Sequence, residues 1–504
     1  MILQVNHDTV SFMNDHDTRL LNLPAIEATS LIAAGKISPV EFLEACIQQI
    51  QRINPAVNAL VTLAFDRARS QARVAEAAVQ KGEVLGQIHG LPVAIKDIQN
   101  TEGIVTTFGS EKLANNVPDK DAGIVARIRN AGGIIIGKTN VPEMSIGANT
   151  VNPLFGATGN PFDPTLTCGG SSGGSGVAVA TQMAPLATGS DHGGSLRIPA
   201  CYSGVVGVRA TPGVVPNEQR RSPLTNYSVQ GPMARTVADS ALLLSVIAAR
   251  DKSAQMDPMV FPLDTRQFSH LEEIDVKALR VAVSTDLGGV LVSDSIRKTF
   301  QQKITKISRL VKTCDSVNID LTEAPDIDWH LRQDLFVSQY HCEAAGWSED
   351  FNPNVRATYE SALRTPMAEI AQARRRQVEL FREFARLFDD YDLVICPGVS
   401  VSPFSWQTMN PEFIDGKPVT NYMAWLALTS SITVVGHPVV ALPCGTDSHG
   451  MPFGVQVIGK MFNDHKLLSM TQSLEGAFAG VVDLQRPIPD YEFLSQAEAI
   501  RHDP

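Results

Sequence analysis

Three side chains in this sequence have the types and settings that acyl-transfer chemistry requires: Lys96, Ser171 and Ser195. Lys96 closes the apolar run Leu91-Pro92-Val93-Ala94-Ile95. A lysine after an apolar strand is ordinarily a snorkelling or edge residue. Alternation, however, sets it on the face of Ala94 and opposite Asp97, so the adjacent carboxylate need not neutralise it. Burial in that setting depresses the ammonium pKa and leaves a neutral amine able to accept a proton. Ser171 lies in Gly169-Gly170-Ser171-Ser172-Gly173-Gly174-Ser175-Gly176. A flexible linker is the default reading of such composition. Val177-Ala178-Val179-Ala180 follows directly, which puts the run inside a packed region. A glycine-rich turn leading into a helix presents backbone N–H groups to an anion or a developing oxyanion. Ser195 lies in a second such turn, Ser190-Asp191-His192-Gly193-Gly194-Ser195-Leu196-Arg197-Ile198-Pro199. Between the two, Met183-Ala184-Pro185-Leu186-Ala187-Thr188 supplies a helix end and a strand, so both turns are expected at one edge of a sheet.

Two other patterns compete for the chemistry. Gly132-Gly133-Ile134-Ile135-Ile136-Gly137-Lys138-Thr139 formally matches the phosphate-binding G-x-x-x-x-G-K-[ST] run. Its interval is a triple-Ile strand, a helix-like segment precedes it, and Asn140-Val141-Pro142 blocks the helix that should follow, so a nucleotide site is not expected. Gly170-Ser171-Ser172-Gly173-Gly174 matches the G-x-S-x-G elbow, which would make Ser172 a nucleophile paired with one of eleven histidines. The preceding Asn160-Pro161-Phe162-Asp163-Pro164 makes a poor strand, which weakens that reading.

The elements that must position these residues are legible as alternation. Ser38-Pro39-Val40-Glu41 forms a capping box with proline at the first helical position, ahead of a helix over 42–53. Ala64 to Lys81 suggests a second helix. From residue 93 onward short apolar runs alternate with helical stretches: 93–95, 134–136, 205–208, 281–283, 393–395, 439–442 and 455–458. This pattern predicts an α/β fold with a mainly parallel or mixed central sheet covered by helices on both faces. Residues 251–390 differ: they hold few glycines and long helical patterns over 295–310 and 366–388, and read as a helical insertion or cap. Because strand-like runs return after 392, one domain over 1–504 is expected, with a core over 25–250, a mostly helical substrate-shaping region over 251–390 and a return to the core sheet over 391–480.

Composition narrows the function classes. The formal net charge is −11 over 504 residues, and no basic tract exceeds Arg374-Arg375-Arg376, which reads as a solvated helical face. Nucleic acid is therefore not an expected partner, since phosphate binding needs a clustered basic footprint. No apolar run approaches the ~18 residues that span a bilayer, and the first eight residues carry no signal-like pattern. A cytoplasmic protein without a membrane partner is expected. Seven scattered cysteines with no C-x-x-C pair argue against zinc and against a disulfide framework.

With these residues in view, the sequence resembles the amidase signature family of serine hydrolases. The resemblance is carried by Gly90-Leu91-Pro92-Val93-Ala94-Ile95-Lys96-Asp97, Gly137-Lys138-Thr139-Asn140, the run 169–175 and Gly193-Gly194-Ser195-Leu196-Arg197-Ile198-Pro199. It resumes at Gly436-His437-Pro438-Val439-Val440-Ala441-Leu442-Pro443 and Pro452-Phe453-Gly454-Val455-Gln456. It implies the amidase signature fold and hydrolysis of a small-molecule carboxamide to carboxylate and ammonia or amine through an acyl-enzyme, without cofactor or metal. It also implies a Ser–cis-Ser–Lys triad of Ser195, Ser171 and Lys96, with a cis peptide before Ser171. The backbone N–H groups of His192, Gly193, Gly194 and Ser195 would form the oxyanion hole. His192 itself reads as a wall residue, and Asp191 and Arg197 as supports of the loop, against the plainer reading of a surface salt bridge. By family analogy Met144 to Thr150 lines the acyl pocket, with Ser145 and Thr150 as substrate-binding residues. The family also includes the glutaminase-like A-type subunits of amidotransferase assemblies. Asn421-Tyr422-Met423-Ala424-Trp425-Leu426 looks more like the free-standing amidases, and a homodimer is left open as an assembly state.

Overall fold

The structure, a computed structural model, describes residues 15–220, 227–344 and 352–500, so the N-terminal residues read for a leader lie outside it. Ser38 caps the helix Pro39–Val57 through both halves of the capping box, its side chain accepting from Val40 N and Glu41 N. The helix Phe65–Lys81 follows the strand Leu60–Leu63, which the sequence reading did not foresee.

The core is one sheet of eleven strands. In spatial order they are Leu60–Leu63, Ile134–Thr139, Pro92–Lys96, Leu186–Asp191, Val229–Ala234, Val206–Arg209, Val439–Thr446, Pro452–Ile458, Leu393–Pro397, Arg280–Val283 and Thr313–Ser316. Pro92–Lys96 runs parallel to both its neighbours, and Arg280–Val283 is likewise parallel to both of its own. The middle of the sheet, from Leu186–Asp191 to Leu393–Pro397, is antiparallel throughout. The sheet is thus mixed, with helices on both faces. Strands from either side of 251–390 share it. That region is less purely helical than its sequence suggests: besides the helices Ala324–Ala344, Pro353–Arg364 and Met367–Ala385 it adds two edge strands, and Thr313-Cys314-Asp315-Ser316 has no apolar run to announce itself.

Arg374, Arg375 and Arg376 sit on the helix Met367–Ala385, paired with Asp334, Glu379 and Glu323, as a solvated face requires. No helix of the described residues is long and apolar enough to cross a membrane.

Two neighbouring parallel strands fix the edge where the chemistry would sit. Val93 pairs with Leu186 and Ala94 with Ala187, so Lys96 and Asp191 finish their strands side by side. The glycine run enters the helix Gly173–Ala180, which is wholly buried and packs on these same strands. It is therefore not a linker. The helix can approach so closely only because its first residues lack side chains: a Cβ at Gly174 would meet the backbone of Asn140 and Ala59, and one at Gly173 would meet Thr150 and Cys168. Replacing Gly174 by Ala should therefore lower stability by about 1–3 kcal/mol, the usual cost of overpacking a filled core. Urea unfolding would show this as a lower midpoint at unchanged m-value, and an unchanged midpoint would mean that the turn does not pack against that backbone.

Candidate active site

Lys96 is fully buried at the end of its strand. Its Nζ lies 2.8 Å from Ser171 Oγ, 2.9 Å from Ser172 Oγ and 2.9 Å from Ser190 Oγ. Among the described residues no carboxylate touches it. Asp97 points the other way, accepting from Thr107 N and sharing its field with the buried Lys138, as strand alternation predicts. Desolvation pulls the Lys96 ammonium well below its ordinary pKa of 10.5, and the nearby Asp191 charge only partly opposes this.

Proton counting then orients the amine. Ser172 Oγ donates to the Ser190 carbonyl at 3.2 Å and accepts from Ser190 N at 3.3 Å. A hydroxyl has one proton and two lone pairs, so Ser172 has only a lone pair left for the lysine. A neutral Lys96 must give one N–H to Ser172. If the other goes to Ser190, the nitrogen lone pair faces Ser171.

Ser171 follows a cis peptide bond at Gly170. Besides Lys96 it accepts a hydrogen bond from Ser145 Oγ at 2.7 Å. Ser195 lines the same cavity of about 220 Å³ as Ser145, Ser171, Ser190 and His192. Its carbonyl accepts from Ser172 N at 3.2 Å, tying the two glycine turns together. Its hydroxyl makes no hydrogen bond among the described residues. Lys96 and Ser171 are thus in contact, whereas Ser171 and Ser195 share a wall without a bond between their hydroxyls.

The turn that carries Ser195 is built around an ion pair. Asp191 and Arg197 are both fully buried, so the surface salt bridge is excluded. Arg197 Nε and Nη2 grip the two carboxylate oxygens at 2.9 Å each. Its remaining protons reach Thr429 O, Gln456 Oε1 and Thr433 Oγ1, so all five guanidinium donors are used. Arg209 adds a second cation at 3.3 Å. Burial alone would raise the Asp191 carboxyl, yet Arg197 and Arg209 together hold it well below the usual carboxylate range. The anion also collects backbone donors: Leu196 N at 3.1 Å and Gly194 N at 3.0 Å.

That last bond corrects the expected oxyanion hole. The Gly194 N–H is spent on Asp191 and is not available to a substrate. The N–H groups of His192, Gly193 and Ser195 make no hydrogen bond among the described residues, so the donor set narrows to these three. Gly194 has a different duty. Its φ of +129° and the contact its Cβ would make with Thr429 make it the hinge of the turn.

Thr150 needs a second correction. It is fully buried outside the cavity wall, and its hydroxyl donates to Gly169 O at 2.7 Å. It holds the glycine turn and does not face a substrate. Ser145 does line the cavity, in the left-handed region at φ +62°. Ser190 and Ser172 are contacts of Lys96 that the sequence reading missed as such. Ser172 is fully buried and absent from the cavity wall, which removes the exposed elbow serine of the competing reading. Lys138 is also buried, on the strand Ile134–Thr139, donating to Thr101 Oγ1 and Thr106 Oγ1, which removes the nucleotide loop. His192 is a partly exposed wall residue packed against Tyr227, with ring centroids 4.8 Å apart.

Comparison with known proteins supplies the family. The family model described as Amidase matches residues 41–468. An acylamidase of Rhodococcus erythropolis is 30% identical over 459 residues, covering 90% of this chain and 95% of that protein. The A-type subunit of a glutamyl-tRNA(Gln) amidotransferase from Chloroflexus aurantiacus is 32% identical over 479 residues, covering 90% and 96%. A bacterial aryl acylamidase described as belonging to the amidase signature enzymes superposes with a TM-score of 0.83 over 95% of this chain and 99% of its own, at 24% identity. This chain belongs to the amidase family and is a hydrolase of carboxamide C–N bonds.

Proposed function

We propose that Ser195, Ser171 and Lys96 act as nucleophile, proton relay and base in this amide hydrolysis. The observation that carries the reading is a fully buried amine whose contacts among the described residues are hydroxyls and not carboxylates. Ser171 gives its proton to the lysine lone pair and accepts from Ser145 with one of its own lone pairs. The other lone pair remains for the Ser195 hydroxyl.

The steps follow from that orientation. Ser195 Oγ attacks the amide carbon while its proton passes to Ser171 and the Ser171 proton to Lys96. The carbonyl oxygen becomes an oxyanion held by the N–H groups of His192, Gly193 and Ser195. One such donor is worth about 10²–10³ in rate. On collapse the C–N bond breaks, and the proton returns from Lys96 through Ser171 to the leaving nitrogen. A water then gives its proton to the same relay and attacks the Ser195 ester, releasing the carboxylate. Asp191 and Arg197 fix the turn that presents Ser195. Removing either would strand the other as a buried charge, at a cost of about 3–5 kcal/mol.

The similarity to an amidotransferase component that acts on glutamyl-tRNA(Gln) keeps a partner-dependent glutaminase as the second reading. Purified chain that hydrolyses simple amides unaided decides for the free-standing enzyme.

Ser195→Ala should reduce kcat by about 10⁴-fold or more while leaving the circular dichroism spectrum and melting temperature unchanged. A substantial surviving rate would remove Ser195 from the nucleophile role. The pH profile has a defined sign: the reactive form is the neutral amine, and burial lowers its pKa, so kcat/KM should rise as pH increases through a value well below 10.5 and then level off. A rate flat from mildly acidic to alkaline pH would contradict Lys96 as the base.

A further inference from the structure

The cavity in front of Ser195 has a wall that the reaction does not use. The helix Ala324–Ala344 places Arg332, Leu335 and Phe336 in it, at the i, i+3, i+4 spacing of one helical face. Two are apolar and one is a cation. Arg332 is only 9% exposed, and its Nε is buried without a hydrogen-bond partner. Its guanidinium carbon sits 5.1 Å over the Tyr422 ring, which fixes the plane of the group.

No neighbouring anion claims this cation among the described residues. Asp328, one turn earlier on the same helix, makes no ion pair with it. The nearest cation-forming group to Asp328 is His192, whose Nε2 lies 3.8 Å from Asp328 Oδ1. Burial pushes the Asp328 carboxyl up to about 7, so near neutrality it is largely protonated and cancels little of the Arg332 charge. Glu218, the carboxylate in the cavity wall, is engaged by Arg127. A desolvated guanidinium is costly to leave unpaired. In the wall of a reaction cavity, a ligand anion is the partner that offsets this cost.

We propose that Arg332 binds a carboxylate on the substrate, so that the preferred substrates are small amides bearing a negative charge a few carbons from the scissile bond. The cavity volume of about 220 Å³ lies below the roughly 300–1,000 Å³ of drug-sized ligand sites, which suits a short chain. Leu335 and Phe336 then cover the methylenes between the two polar ends. This specificity rests on the amidase reading of Ser195 but is separable from it.

The test compares monoamides of dicarboxylic acids with neutral amides of equal carbon count: succinamate with butanamide, glutaramate with pentanamide and adipamate with hexanamide. The wild type should favour the anionic member of at least one pair by about 10–100-fold in kcat/KM, mainly through KM, as a charge-assisted bond to a carboxylate would give. Arg332→Gln should bring that ratio close to one, and Arg332→Lys should leave it intermediate. Equal rates on both members of every pair, or a ratio untouched in Arg332→Gln, would overturn the inference while leaving the amidase reading standing. Failure to hydrolyse any of the six would instead count against the Ser195 reading, and binding then decides this inference. Glutarate should raise the melting temperature of the wild type but not of Arg332→Gln, with pentanamide as the uncharged control. No glutarate shift in the wild type would overturn the inference, including where the variant fails to fold.

Discussion

The burial of one amine is the constraint from which the rest of the site follows. A lysine in water keeps its proton at neutral pH, and a lysine beside a carboxylate keeps it more firmly. Lys96 is removed from solvent, and its contacts among the described residues are three hydroxyls. Each feature of the surrounding fold serves that condition. The parallel pairing of Pro92–Lys96 with Leu186–Asp191 brings Ser190 to the amine, and the wholly buried helix Gly173–Ala180 seals it while delivering Ser171 and Ser172. Asp97 is turned to the other face, where Lys138 and Thr107 occupy it. Had the strand slipped by one residue, the carboxylate would have stood where the amine is.

The second turn solves the opposite electrostatic problem. Asp191 must remain charged although it is buried, because its anion collects the N–H groups of Gly194 and Leu196 and so draws the loop into its curve. Arg197 and Arg209 make that tolerable. Arg197 also reaches Thr429, Thr433 and Gln456, and so pins the turn to the helix Ala427–Val435 and the strand Pro452–Ile458. The late part of the chain, far from Ser195 in sequence, is thereby needed to hold it. This accounts physically for matching motifs that stop near residue 199 and resume near 436.

What the sequence made legible were features carried by local chemistry. The capping box at Ser38, the alternation that separates Lys96 from Asp97 and the strand-forming Val/Ile runs can all be read within a few residues. What it concealed depends on where separate segments meet. Ser172 and Ser190 reveal themselves as partners of Lys96 only when both glycine turns close on one strand end. Thr150 shares a pocket-lining stretch with Ser145, yet the chain between them turns it inward to Gly169. Gly194 has a donor that looks free until Asp191 is seen to take it. The strand Val229–Ala234 escapes for another reason: it carries Gly231 and Pro232 in the middle of a sheet, where proline is normally excluded.

Chemistry and recognition come from different parts of the chain. Lys96, Ser171 and the Ser195 turn sit on strands and tight turns of the sheet edge, where a position cannot drift without collision. The wall opposite is supplied by Ala324–Ala344, a helix from the region between the two matching stretches. The two meet at His192, whose backbone belongs to the nucleophile turn and whose ring faces Asp328. Burial, with Arg332 and Arg209 nearby, drives the imidazole well below its usual pKa, while burial raises the Asp328 carboxyl. Both groups are thereby pushed toward their neutral forms, which leaves Arg332 as the dominant charge on that side of the cavity. A sheet edge that sets the reaction and a helix that sets the charge of the pocket can change independently, because only the uncharged side of His192 joins them.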